Sequence, residues 1–246
     1  MNNPIIEVQN LKVQYDSRII LENINFKIHP GEIFMIVGGS GCGKTTLLNH
    51  MIGLLEPSAG NIIIDGQNIN HATESQLLGV LRKIGVLYQS GALFGSMTLL
   101  ENIRLPLEEL TQLPPAAITE IVHNKLKMVG LDGFGDYMPA QVSGGMQKRA
   151  AIARAMALDP KILFLDEPTS GLDPISSSEL DEVIVKLSQI LGITFVIVSH
   201  DLSSIYKIAQ RVILLHEGQI IAMGNPEELG KSSDPLVKRF FAHKLV

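Results

Sequence analysis

The chain has 246 residues, 46% hydrophobic and 18% charged, with a formal net charge of -5. That length supports one large domain carrying an insert, and the acidic balance argues against a broad basic surface for nucleic acid. A single cysteine, Cys42, permits no internal disulfide and fits a reducing compartment, while a mean hydropathy of +0.23 points to a surface covered by a partner.

The opening residues, MNNPIIEVQNLKV, lack the basic region and long apolar run of a signal peptide. No run approaches the ~18 apolar residues that cross a bilayer. IIEVQNLKVQY and IILENINFKI alternate apolar and polar residues around Asp16-Ser17, which predicts an antiparallel hairpin. Ile33–Val37 barely alternates, as strands buried on both faces do in parallel sheets. Directly after it comes Gly38-Gly39-Ser40-Gly41-Cys42-Gly43-Lys44-Thr45-Thr46, and then a helical pattern. Glycine weakens strands and helices alike, so its density at this handover needs a reason. Gly38-x4-Gly43-Lys44-Thr45 between strand and helix is the pattern of a phosphate-binding loop. Glycines let backbone N–H groups converge on an anion, and the helix N-terminus adds positive charge. Lys44 suits the β- and γ-phosphates of a nucleotide, and the Thr45 hydroxyl suits Mg²⁺. Asn61–Asp65 with Gly66 reads as a further antiparallel strand and its turn.

Thr73-Glu74-Ser75-Gln76 is a capping-box pattern before LLGVL. Pro115 opens a helix with Ile118, Ile121, Val122, Leu126 and Val129 on one stripe, and Gly130 stops it. Residues 91–158 read as a mostly helical insert. Inside it, Val142-Ser143-Gly144-Gly145-Met146-Gln147 precedes the helix KRAAIARAMAL. Two readings stand: Ser143 is an N-cap, or two copies meet head to tail and each offers this turn to the other's γ-phosphate.

Ile162–Leu165 is a second buried strand and ends in Asp166-Glu167. Acids at the end of such a strand lie at the sheet edge where ligands bind. Asp166 suits Mg²⁺, and Glu167 suits the general base that polarises an attacking water. Ser178–Leu191 is helical, and Phe195–Val198 and Val212–Leu215 are two more buried strands. Strands separated by helices define an α/β core with a parallel sheet, spanning 1–90 and 159–224. The tail, 225–246, ends in PLVKRFFAHKLV. Pro235 and its cap Asp234 start a helix whose Leu236, Val237, Phe240, Phe241 and Leu245 share a face. That face has three possible covers: its own core, a membrane surface, or a neighbouring copy across a dimer, and the last is the one we expect.

These motifs together resemble the nucleotide-binding subunit of an ABC transporter, over nearly the whole chain. GGSGCGKTT is similar to Walker A, Gln89 to the Q-loop glutamine, VSGGMQ to the signature, ILFLDE to Walker B, SGLD with Asp173 to the D-loop, and His200 to the switch histidine. The resemblance implies a P-loop fold with an N-terminal antiparallel β subdomain and an inserted helical one. It implies that Gln89 reaches Mg²⁺ and water, that His200 contacts the γ-phosphate, and that Tyr15 stacks on adenine. Ser143, Gly144, Gly145 and Asp173 would serve the nucleotide of a second copy. Met146 stands where most signatures have glutamine, and its side chain has no donor for a phosphate or ribose oxygen. SGGM, QSGALFGSMTLLENIRLPL and GLDPIS resemble most the ATPases of MCE/Mla phospholipid-transport systems. That implies ATP hydrolysis at the cytoplasmic face of the inner membrane, by a dimer bound to a permease, an MCE lipid-binding protein and a small cytoplasmic accessory subunit. The competing readings are an importer of a small solute, a non-transport ABC ATPase, and a P-loop nucleotide kinase. VSGGMQ and His200 argue against the kinase.

Overall fold

The computed structural model describes residues 3–242. β1 (Ile6–Tyr15) and β2 (Arg18–Ile28) pair antiparallel across Asp16, whose φ of 52° makes the turn. Asp tolerates that left-handed conformation better than most residues. β3 (Ile33–Gly38) and α1 (Lys44–Met51) flank the glycine-rich loop. β4 (Ala59–Ile64) returns to pair antiparallel with β1, and the short β5 (Gln67–Asn68) pairs with β4. α2 (Glu74–Leu81) begins at the predicted capping box, in which Thr73 and Gln76 each accept from the other's backbone N–H. β6 (Ile84–Leu87) follows.

Residues 91–158 then supply α3 (Leu99–Leu110), α4 (Pro115–Met128), a single 3₁₀ turn at Pro139–Gln141 and α5 (Gly144–Ala155). The rest of the core is β7 (Ile162–Asp166), α6 (Pro174–Leu191), β8 (Thr194–Ser199), α7 (Leu202–Ile208) and β9 (Arg211–His216). The chain closes with β10 (Gln219–Gly224), α8 (Pro226–Leu229) and α9 (Pro235–Phe241).

The first sheet runs β2-β1-β4-β5 and the second β10-β9-β3-β8-β7-β6. In the second, β9, β3, β8, β7 and β6 are parallel, and only β10 is antiparallel. Its central strands are buried on both faces, which is why they do not alternate. Phe34, Ile36, Phe164, Val196 and Val198 pack with the antiparallel sheet and α1. Met35, Val37, Leu163, Leu165, Phe195 and Ile197 pack with the helices of residues 91–158 and with α6. Gly85 in β6 marks the closest approach between these layers, since a Cβ there would lie 2.1 Å from the Ala155 carbonyl oxygen. Register sets the site. Val37 lies opposite Ser199, and Asp166 opposite Val198. The residues just past β3, β7 and β8 therefore emerge side by side at one sheet edge.

The tail corrects an expectation. α9 does start at Pro235 with Asp234 capping it, its Oδ1 accepting from Leu236 N at 2.8 Å and Val237 N at 3.1 Å. However, it packs on its own chain rather than across a dimer. Val237 and Phe241 are buried in the main core, and the Phe241 ring meets Tyr206 of α7 edge-on at 6.1 Å. The Tyr206 hydroxyl donates to the Phe241 carbonyl at 3.2 Å. Leu236, placed on the apolar face by spacing, is exposed. Leu245 lies outside the described residues. Burial of Phe241 leads to a direct expectation: Phe241→Ala should lower the stability of the isolated chain by about 3–5 kcal/mol. Urea unfolding measures this, and an unchanged midpoint would unseat α9 from its core.

Candidate active site

The glycine-rich loop is built by close approach. Gly38 has φ 152°, and a Cβ there would lie 2.4 Å from the Leu215 carbonyl oxygen. Gly43 has φ 104°, and its Cβ would meet Leu21 Cδ2 at 2.7 Å. Neither position has room for a side chain. Gly43 is also the N-cap of α1, with no side-chain cap bond. The first N–H groups of α1 are thus left to receive an anion. Lys44 is buried, and its Nζ donates to the Gly38 and Gly39 carbonyls at 2.9 Å each. The ammonium is therefore folded back over its own loop. Gly39, Ser40, Gly41 and Thr45 are exposed, and Thr46 is half-buried. Cys42 is half-buried, and burial pushes its thiol pKa up, so it is a poor thiolate.

At the end of β7 the two acids differ. Asp166 is buried, and its Oδ1 has no hydrogen-bond partner among the described residues. Burial raises its pKa, Glu167 raises it further, and Lys44, a Thr45 hydrogen bond and Lys148 oppose the rise. An unsatisfied buried carboxylate oxygen beside a hydroxyl fits a hard cation, which takes oxygen ligands. Glu167 has φ 49°, and its N–H donates to the Val198 carbonyl at 2.9 Å. Its Oε1 lies 2.8 Å from His200 Nδ1. Strain of this kind clusters where a side chain must be aimed.

The remaining motif residues gather around this pair. Gln89 Nε2 donates to Ser170 Oγ at 3.4 Å, which ties the loop after β6 to the loop after β7. Asp173 caps α6, accepting from Ile175 N and Ser176 N at 3.0 Å and from Ser176 Oγ at 2.5 Å. The Ser176 bond chiefly holds its carboxyl below the usual range. Ser143 caps α5, accepting from Met146 N at 3.2 Å. A Cβ at Gly144 would meet Leu172, and one at Gly145 would meet Ser176. The serine-glycine turn is thus seated on the D-loop of its own chain. Tyr15 stands exposed at the end of β1.

Spacing gave no notice of three further residues. Lys148 of α5 is buried and donates to the Gln89 carbonyl. Burial lowers its pKa, and Asp166 and Glu167 pull it back up. Six residues on, Arg154 donates to the carbonyls of Gly91 at 2.9 Å and Ala92 at 2.8 Å, and lies over the Phe94 ring. Asn102 of α3 is fully buried and completes the clamp, accepting from Phe94 N and donating to the carbonyls of Phe94, Met97 and Thr98. Two cations of α5 and a buried asparagine therefore fix residues 89–98 to the helical insert. The available signal was Lys148 and Arg154 on a helix otherwise rich in alanine.

The comparisons agree with this geometry. Residues 21–170 match the model of the family described as ABC transporter. The chain belongs to the ABC transporter family. It is 42% identical over 240 residues to the intermembrane phospholipid transport system ATP-binding protein MlaF of Haemophilus influenzae, covering 98% of this chain and 91% of that protein. Among solved structures, cbiO1 of Clostridium perfringens, part of the ABC transporter complex cbiONQ, superposes with a TM-score of 0.87 at 32% identity, covering 99% of this chain and 96% of that one. The ATP-binding cassette MJ0796, as a dimer bound to ADP and Pi, gives 0.80 at 32% identity over 89% of this chain and 98% of that one. The chain is thus an ABC ATPase that binds and hydrolyses ATP. Among its described residues, no helix is long and apolar enough to cross a membrane.

In this ABC ATPase, Lys44→Ala removes the cation centred on the loop. Charge-assisted bonds to phosphate are the strong ones, so ATP affinity should fall together with hydrolysis. Calorimetric titration of the purified variant measures it, and wild-type affinity would exclude direct phosphate contact.

Proposed function

We propose that this ABC ATPase drives phospholipid transport between the membranes of the cell envelope. The observation that carries this reading is the 42% identity to an intermembrane phospholipid transport ATPase over 98% of the chain. In this reading, two copies close head to tail on two ATP molecules at the cytoplasmic face of the inner membrane. They are held there by a separate permease, with an MCE lipid-binding protein and a small cytoplasmic accessory subunit as further partners. An importer for a small solute would keep the chemistry and change the cargo.

Each side chain then has a task. Lys44 and the loop N–H groups neutralise the β- and γ-phosphates, and Tyr15 stacks on the base. Thr45, Asp166 and Gln89 would hold Mg²⁺, which when bound draws negative charge from the phosphate oxygens. The His200 contact fixes one oxygen of Glu167 and leaves the other to take a proton from water, while His200 faces the γ-phosphate. Ser143, Gly144, Gly145 and Asp173 serve the nucleotide held by the second copy. Glu167→Gln should keep ATP binding and lose at least about 100-fold in turnover, the lower range for a general base. The variant should then accumulate as an ATP-dependent dimer in sedimentation. Adding Ser143→Arg should abolish that dimer and spare binding to the monomer, and equal dimer in both proteins would refute the role of Ser143. Cargo is tested by purifying the chain with its membrane subunits and identifying bound lipid by mass spectrometry. Stoichiometric phospholipid is expected, and a lipid-free complex that retains an amino acid or a metal would overturn the proposal.

A further inference from the structure

Two loops meet at the acid pair: the one joining β7 to α6, with Glu167, Thr169 and Asp173, and His200-Asp201 before α7. Beneath them lies a carboxyl group that hydrolysis does not use. Asp181 of α6 is 3% exposed. Its Oδ2 lies 2.9 Å from Ser204 Oγ of α7, and its Oδ1 has no partner among the described residues. Ser204 Oγ is also 3.2 Å from Asp201 Oδ2, which Thr169 Oγ1 approaches to 3.5 Å. The other oxygen of Asp201 caps α7, accepting from Ser203 N at 2.9 Å. One hydroxyl thus touches carboxyl groups from two helices, and the second of those carboxyls touches the loop that follows Glu167.

A hydroxyl carries a single proton. With both acids ionised, Ser204 satisfies only one of them, and Asp181 remains a buried charge with a bare oxygen, a costly arrangement. A proton taken from water in the adjoining cleft resolves this. Asp181 then donates to Ser204 Oγ, and Ser204 donates to Asp201. The surroundings favour that state: burial raises the Asp181 pKa to about 6, Asp201 and Glu182 add to the rise, and Ser204 and Lys207 oppose it. Lys207 is committed elsewhere, donating to the Ser178 carbonyl, to Ser178 Oγ and to Glu182. Glu167, His200 and Tyr206 line the same cleft.

We propose that Asp181 is a positioning residue which, as the neutral acid, ties α6 to α7 through Ser204 and so holds the Asp173 loop against the His200 loop. The inference rests on the roles given above to Glu167 and His200.

The test compares Asp181→Asn, whose amide donates at every pH, with the wild-type chain between pH 5 and pH 8.5. The ratio of variant to wild-type kcat cancels titrations common to both proteins. It should be near unity at pH 5 and climb as pH rises through about 6. A net hydrogen bond of this kind corresponds to a rise of about two- to tenfold. KM for ATP should not follow it. In a Ser204→Ala background the ratio should be flat, because the relay is gone. Stability carries the same sign. The folded pKa is raised, so the stabilisation it brings is complete below the unfolded value and is lost as pH rises through about 6. The Tm advantage of Asp181→Asn should therefore grow from pH 5 to pH 8. A ratio that stays flat in the wild-type background, or that climbs equally without Ser204, overturns the proposal. Rapid turnover by Glu167→Gln would instead overturn the assignment of the base.

Discussion

A carboxylate held out of water with one oxygen unpaired is the constraint around which the site is built. Asp166 ends β7, an interior strand of a sheet covered on both faces, and only 7% of it is exposed. An ionised group there is costly unless cations face it. The chain supplies two, Lys44 from below the phosphate loop and Lys148 from α5. Neither ammonium is spent on Asp166 itself, since Lys44 bonds the loop carbonyls and Lys148 bonds Gln89. The acid is therefore kept partly neutralised by charge at a distance and has an open coordination position. That is the electrostatic state a cation and a polyphosphate together complete.

Parallel topology turns this one group into a site. Because β3, β7 and β8 run in register, the phosphate loop, the acid pair and His200 share one edge without any long-range search for partners. The loop after β6 reaches the same edge but is governed from elsewhere. Lys148, Arg154 and Asn102 bind its carbonyls to α5 and α3, and among the described residues only the Gln89 amide reaches across to Ser170. Motion of the insert would carry Gln89 with it. A loop clamped on one side and lightly tethered on the other is a mechanical link between the helical insert and the acid pair.

What the sequence revealed follows the range of the forces involved. Strands buried on both faces wrote unbroken apolar runs, and the hairpin wrote its alternation. The capping box at Thr73 was legible because its two partners are three residues apart. Thr98 and Glu101 form another at the start of α3 and carried the same signal. By contrast, the clamp joins Lys148 to a carbonyl 59 residues away and Arg154 to one 62 residues away. Spacing along α5 shows only ordinary helix cations, Lys148, Arg149 and Arg154. The antiparallel edge strand β10 went unread because its burial does not alternate cleanly. The tail failed for a different reason. Its apolar face was visible, but Tyr206, the residue that receives Phe241, lies in a separate element, and pattern alone could not choose among the surfaces on offer.

Burial also divides the motif residues into two groups. Lys44 and Asp166 are buried, and Glu167 is largely so. These are the groups that would act on the chain's own ATP, and the fold alone orders them. Ser143, Gly144 and Asp173 are exposed, as are His200 and Tyr15. Here an exposed group is weak, because water screens its charge and competes for its bonds. Closing a second copy over these residues would remove that water and strengthen every interaction in the site at once. The single chain therefore has its lysine and acid pair ordered by the fold, while much of the rest of the site is open to water. In the function proposed above, that asymmetry is the physical reason for two copies to act together, and closure, rather than the bond-breaking step alone, would be the event through which ATP performs work on a partner.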